Sequence, residues 1–386
     1  MTQIRRFGLT VLILALSVSA ATADELSELK QTFVSGTDAK DRLAAGMDLA
    51  LKNPDAFAKA VDEVLKAKLP ADAELFARIA VKLKVRHLRL LLVWAASQYG
   101  PEASLAAFLD RIDNDYPMES VRAIEGLGFL RNHGALSRLM DLLRSPNELI
   151  AVQAARAIGR VGSKGDAGLV LDAAIAVDNG HARVHLVWAL QDLTGGKGTA
   201  QKMLAKYMGK QGTQGFRAKE AMAILEDGIA PPEDYKVKLE TIRTFFGKKD
   251  SPKLPPIDGP KDETEKVKKA LAELAKKSPA WYHLVCATLS QIKVSGAPDI
   301  LDHKAGILHL RFLDVSKWDR SELFEYYIVR YATILFLGKM GDPLDKHRGW
   351  EEGMMEGWWY AMDHTQIALD EDLLKFIQEA LKNAPW

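Results

Sequence analysis

Three small sets of residues in this 386-residue chain have types and spacings that chemistry uses. His181 and His185, in "HARVH", are four apart, so a helix puts both imidazoles on one face in the manner of two zinc ligands. No glutamate stands between them to act as a base. Asp192 lies two turns further on, about 10 Å away at 1.5 Å per residue, too far to share the ion. A third ligand would have to come from a neighbouring element, and the ordinary role of such a face is contact with solvent. Glu352, Glu356 and Asp363 are spaced four and seven apart beside Trp359. Two carboxylates flanked by aromatic rings suit glycoside cleavage, one as acid and one as base or nucleophile, although a solvated acidic face has the same pattern. Cys286, the single cysteine, sits in "HLVCATL", an apolar context that makes it an inert core thiol rather than a nucleophile. The sequence contains no glycine-rich phosphate loop, nucleophile elbow or cysteine pair for zinc. No catalytic, cofactor-binding or metal-ligating residue is assigned.

The elements that must position these side chains repeat themselves. "SVRAIEGLGFL" begins at Ser120 and "AVQAARAIGRV" at Ala151, so Val121 returns as Val152, Leu127 as Ile158 and Gly128 as Gly159. The register extends back to Leu90 and forward to Val184 and Ala218. In each of five copies apolar residues recur three and six positions after the first: Leu90, Val93, Ala96; Val121, Ile124, Leu127; Val152, Ala155, Ile158; Val184, Val187, Leu190; Ala218, Ala221, Ile224. This is a helix stripe, not the alternation of a strand. The fifth position after the first is small throughout (Ala95, Gly126, Ala157, Ala189, Ala223), which lets a neighbouring helix approach. A second helical pattern lies between stripes: Leu105, Phe108, Leu109 and Ile112 return as Leu136, Leu139, Met140 and Leu143. "DNDYP", "SPN" and "DNG" supply breaks and caps between helices. A two-helix unit of about 30 residues cannot bury both its faces alone, and stacked neighbours supply the missing core. The fold class expected is all-α: an α-α superhelix, or solenoid.

The stretches "SVRAIEGLGFL" and "AVQAARAIGRVG" resemble the second helix of HEAT repeats, in particular the short HEAT-like repeats of the phycobilin-lyase type. Val121-Arg122 and Gly128 carry the likeness, with Val152, Ala154, Ala155, Ile158 and Gly159. The copies at Val184 and Ala218 lack the glycine. The resemblance covers about residues 85–230 and implies a stacked helical fold more strongly than any activity. Deoxyhypusine hydroxylases, HEAT-like enzymes, bind iron through His-Glu pairs, and this sequence has no His-Glu dipeptide.

The ends of the chain read differently. Arg5 and Arg6, an apolar run from Leu9 to Val18 and "AATAD" have the order of an export signal cut after Ala23. The run is too short to span a bilayer, and no later segment is long and apolar enough. The chain has 52 basic and 51 acidic residues; loss of Arg5 and Arg6 with the signal leaves 50 against 51, which argues against a nucleic-acid partner. "GKKDSPKLPPIDGP", with four prolines and two glycines, is the linker candidate. Beyond it lie six of the eight tryptophans, in a region otherwise of helical pattern; "GILHLRF" fits a short strand or a helix. The expected organisation is a signal peptide (1–23), a HEAT-like solenoid (24–246), a linker (247–260) and a smaller, aromatic-rich, all-helical C-terminal domain (261–386).

The function expected from this organisation is that of an exported, periplasmic or secreted, protein-binding scaffold without cofactors. The alternative is a hydrolase acting on a carbohydrate or cell-wall polymer in a cleft lined by Trp350, Trp358, Trp359, Tyr360, Glu352 and Glu356. The stripes bury one side of each inner helix, so positions one and four after the stripe start should face outward. These are Arg122 with Glu125, Gln153 with Arg156, His185 with Trp188, and Trp94. Inner helices line the concave surface of a solenoid, where such arrays bind partners. Trp94, Arg122, His181, His185 and Trp188 are therefore the expected ridge for a protein partner.

Overall fold

The computed structural model describes residues 22–69, 71–113, 116–226, 239–246, 253–294, 301–302, 305–310 and 321–339. Seventeen α-helices and four short strands lie among them. Prolines and polar caps start the helices where the turn residues stand. After α1 (Ala23–Ser35) and α2 (Ala39–Lys52), α3 (Pro54–Ala67) opens on proline, with the Asn53 side chain accepting from the Ala56 N–H at 3.0 Å. Next come α4 (Asp72–Lys82), α5 (Arg86–Ser97), α6 (Pro101–Leu109) and α7 (Pro117–Leu130). The last of these ends with Arg131 in the left-handed region at φ 54°. A 3₁₀ turn leads into α8 (Leu136–Leu142), then α9 (Glu148–Val161), capped by Asn147 accepting from the Leu149 N–H at 3.0 Å. A second 3₁₀ turn precedes α10 (Ala167–Ala176); Asn179 caps α11 (Gly180–Leu193) through the Ala182 N–H at 2.8 Å. The array continues through α12 (Lys197–Met208) and α13 (Thr213–Glu226), and α14 (Thr241–Phe246) follows it.

The stack is the expected solenoid. Helices α7, α9 and α11 pack side by side, with α8 against α9 and α10 against α11. In the copies starting at Leu90, Val121, Val152 and Val184 the second and third stripe residues are all buried. The small fifth position explains the close approach: a Cβ on Gly126 would lie 2.5 Å from the ring of Phe108 in α6. Nearby, a Cβ on Gly128 would lie 3.1 Å from the Ala157 Cα in α9. The last copy departs from the pattern: Ala218 and Ala221 are buried but Ala223 is exposed. Its helix, α13, meets α10, α11 and α12.

The C-terminal part adds a small sheet to its helices. It comprises β1 (Ile257–Asp258), α15 (Lys261–Lys277), α16 (Pro279–Thr288), β2 (Gln291–Lys293), β3 (Leu301–Asp302), β4 (Ile307–His309) and α17 (Ser321–Lys339). The strand order is β1-β2-β4-β3, parallel except for the β3–β4 pair. "GILHLRF" thus contributes a strand: Leu308 and its partner Ile292 are fully buried beside half-exposed neighbours, which is the period of two that a sheet with one covered face imposes. Within 247–260, Pro256 and Asp258 accept backbone hydrogen bonds from Ile292 and Val294, so the second half of the expected linker is an edge strand. Helix α16 also packs on α2 and α3, and α14 on α5, which brings the C-terminal part back onto the first repeats.

Candidate functional site

Helices α5, α7, α9 and α11 carry the side chains that the sequence placed on the concave face, and most of these are buried. Arg122, expected to face outward, is 8% exposed. Its Nη1 donates to the carbonyls of Val81 (2.8 Å) and Lys82 (3.3 Å) at the end of α4. The reason is the helix terminus: the last carbonyls of α4 lack intrahelical donors and carry the negative end of its dipole, so a cation is held there. Arg89, on α5, donates to Leu83 (3.4 Å) and Lys84 at the same end.

This clasp is built twice. On α11, Arg183 donates to Val177 (2.7 Å) and Asp178 (3.5 Å) beyond α10; on α13, Arg217 donates to Ile175 (3.3 Å) and Ala176 (2.6 Å). An acid three residues after the second arginine completes each set. Glu125 takes Arg89 at 3.0 Å and Arg86 at 2.6 Å, and Glu220 takes Arg183 at 2.6 Å. Arg89 precedes Arg183 by 94 residues, and Arg122 precedes Arg217 by 95. The two clasps therefore recur at about three repeat units, a period hidden in the sequence because the arginines look like solvated face residues. Burial alone would push the Glu125 carboxyl up, but the charges of Arg86, Arg89 and Arg160 outweigh it and hold it at about 2, below the ordinary 4.5.

Of the remaining ridge residues, only His181 lies open. Its Nδ1 sits 3.0 Å from the Glu148 carboxylate of the preceding repeat. His185 is 3% and Trp188 5% exposed, which corrects the outward orientation expected for both. The Trp188 ring meets the His185 ring edge-on at 5.2 Å, and His185 Nε2 accepts from Arg156 at 3.2 Å. An indole has more surface to bury than a solenoid face gains by exposing it, so the ring turns into the packed interior. His181 and His185 consequently engage different groups rather than one point. Among the described residues no group of three potential metal ligands occurs. Trp94 is half-buried, with the Arg243 guanidinium of α14 at 5.0 Å from its ring centre. The structure brings His185 and Trp188 together, and it leaves Trp94, Arg122 and His181 in separate surroundings.

Cys286 is buried on α16, where burial pushes its thiol up to about 11. Trp350, Glu352, Glu356, Trp358, Trp359, Tyr360 and Asp363 lie outside the described residues.

Large apolar side chains are exposed elsewhere. Tyr116 (68% exposed) precedes α7, Leu149 opens α9, and Phe216 (63% exposed) opens α13. With His181 at the start of α11 they stand near the N-terminal ends of α7, α9, α11 and α13. They fall outside the apolar stripe because they stand before it, near the helix starts.

Residues 127–161, from the end of α7 through α9, match the family model of the Armadillo/beta-catenin-like repeat. No curated protein and no solved structure matches the chain. Stacked helix pairs with a repeat of this kind make the chain an α-helical repeat protein, a class typified by protein-binding modules. No helix among the described residues is long and apolar enough to cross a membrane.

Proposed function

We propose that the chain is an exported scaffold that binds a protein partner along the N-terminal edge of its inner helices. The observation that carries this reading is the row Tyr116, Leu149, His181 and Phe216, at successive helix starts of an array that contains an Armadillo-type unit. Exposed aromatic rings at a surface suit binding because each buries a large area at small cost in rotamer entropy. A partner in the concavity is the weaker alternative, since Arg122, Gln153, His185 and Trp188 are already buried. The HEAT-like character of residues 85–230 belongs to the same proposal. Export belongs to the same proposal. Cleavage after Ala23 would remove Thr22, whose side chain caps α1 at the Glu25 N–H, but would leave Asp24 and Glu25 in the first turn to meet the helix dipole.

The test is photo-crosslinking in the native envelope from probes at Tyr116 and Phe216, compared with one at Leu51 on the far N-terminal repeats. A single protein captured from the first two sites and absent from the third supports the edge. A double variant, Tyr116→Ser with Phe216→Ser, should then lose that protein at least tenfold while melting as the parent does. Capture that survives the double variant removes the edge from the proposal. Mass spectrometry of the exported chain should show Asp24 as the first residue, and an intact Met1 would remove export.

A further inference from the structure

The contact between the repeats and the C-terminal helices centres on a histidine with nothing to bond. His87, on α5, is fully buried, and neither of its ring nitrogens has a hydrogen-bond partner among the described residues. The ring lies 5.4 Å from that of His283 at 8° and 5.5 Å from that of Phe246 at 16°, so three rings share one orientation. Phe245 and Phe336 meet it edge-on at 5.7 and 6.0 Å. These rings come from α5, α14, α16 and α17. His283 is itself buried, with Nε2 3.2 Å from the Asp55 carboxylate of α3. A neutral imidazole packs here as one more aromatic ring.

An imidazolium would not. Among the described residues, the charged side chains on the elements packed against His87 are engaged elsewhere, and none bonds to its ring. On its own helix Arg86 and Arg89 are taken up by Glu125 of α7. From α4, Lys82 pairs with Glu119, and Asp72 with Arg42 of α2. Asp55 of α3 is engaged by His283, and Arg243 of α14 by Asp62 of α3. On α17, Phe336 meets the His87 ring, while the buried Glu325 pairs with Lys277 of α15 and Arg330 lies over the Tyr331 ring. A proton on His87 would thus be a buried, unpaired positive charge near Arg89, which a packed interior does not tolerate.

We propose that His87 is an acid-sensitive latch, whose protonation releases α14, α16 and α17 from the first repeats while the stack α7 to α13 stays folded. The sign follows from burial, which with His283 and Arg89 holds His87 well below its ordinary 6.5. The docked form refuses a proton that the released form accepts at about 6.5. Docking is therefore at full strength above that pH and weakens below it, with the ratio of released to docked chain rising about tenfold per pH unit for one proton.

Hydrogen exchange on the full chain between pH 7.5 and 5, corrected for intrinsic rates, tests this. Exchange in 279–288 and 324–336 should quicken about tenfold per unit below pH 6.5, while 151–161 and 182–190 remain protected. His87→Phe should keep neutral-pH protection and abolish the slope, and His87→Leu serves as a second replacement should the larger ring not fit. A flat profile in the unaltered chain overturns the latch whatever the variants do. Loosening of both regions together overturns it as well, as does a slope retained in a variant that docks.

Discussion

At the scale of the residue, the polar groups of the inner helices are structural fastenings. Arg122 and Arg217 close the ends of helices three helices earlier in the chain, and Glu125 binds two arginines in the interior. Replacing Glu125 by Gln removes one charge and strands two others, so it should cost on the order of 3 kcal/mol at pH 7. Because the folded pKa of Glu125 is depressed, its contribution is complete above the ordinary 4.5 and fades as the pH falls towards about 2. Urea titrations across that window should show a steep acid limb in the parent and a shallower one in Glu125→Gln. Trp188→Ala opens a hole in a packed interior and should cost roughly 3–5 kcal/mol. A loss of under about 1 kcal/mol in unfolding free energy from urea titration would mean that the indole is a surface group after all.

At the scale of the element, the stack depends on small residues where helices touch. Alanine is a better helix former than glycine by about 1 kcal/mol, so Gly126→Ala would stabilise an isolated α7. Here the new methyl would meet the fully buried Phe108 ring at 2.5 Å, and overpacking of about 1–3 kcal/mol should outweigh that gain. Thermal melts should show a net loss for Gly126→Ala. The same measurement separates two copies of the repeat: Ala157→Leu, at a closed contact, should cost about 1–3 kcal/mol. Ala223→Leu, at an exposed site, should change stability by less than about 0.5 kcal/mol. Equal losses at 157 and 223 would show that the array continues past α13 in the same register.

At the scale of the molecule, the chain closes on itself. The rings of His87, Phe246, His283 and Phe336 join the first repeats to the last helices, and His283–Asp55 and Arg243–Asp62 bridge the same surface. A protease site placed at residues 248–251 and cut at pH 7.5 should therefore leave two fragments that co-elute in gel filtration. Fragments that separate at once would mean that these contacts add little to the association of the two parts.

The period of about 31 residues, the apolar stripe and the small fifth position were legible in the amino-acid order alone, because they follow from helix geometry and from the need of each pair to find a neighbour. Helix starts were legible for the same local reason: Pro117, Asn147 and Asn179 stand where the caps are. Which polar residues face water was not. A periodic stripe defines one buried side of α7 or α11, but whether the opposite side is open depends on what else the chain lays against it. Arg122, His185 and Trp188 are buried by contacts distant in sequence, which no local pattern encodes. The arginine clasps share that origin, since Arg122 meets carbonyls 40 and 41 residues earlier. So does the edge strand at Ile257, whose partner at Ile292 supplies the pairing that its two residues cannot specify. Local geometry wrote the repeat; long-range packing decided which of its faces remain available.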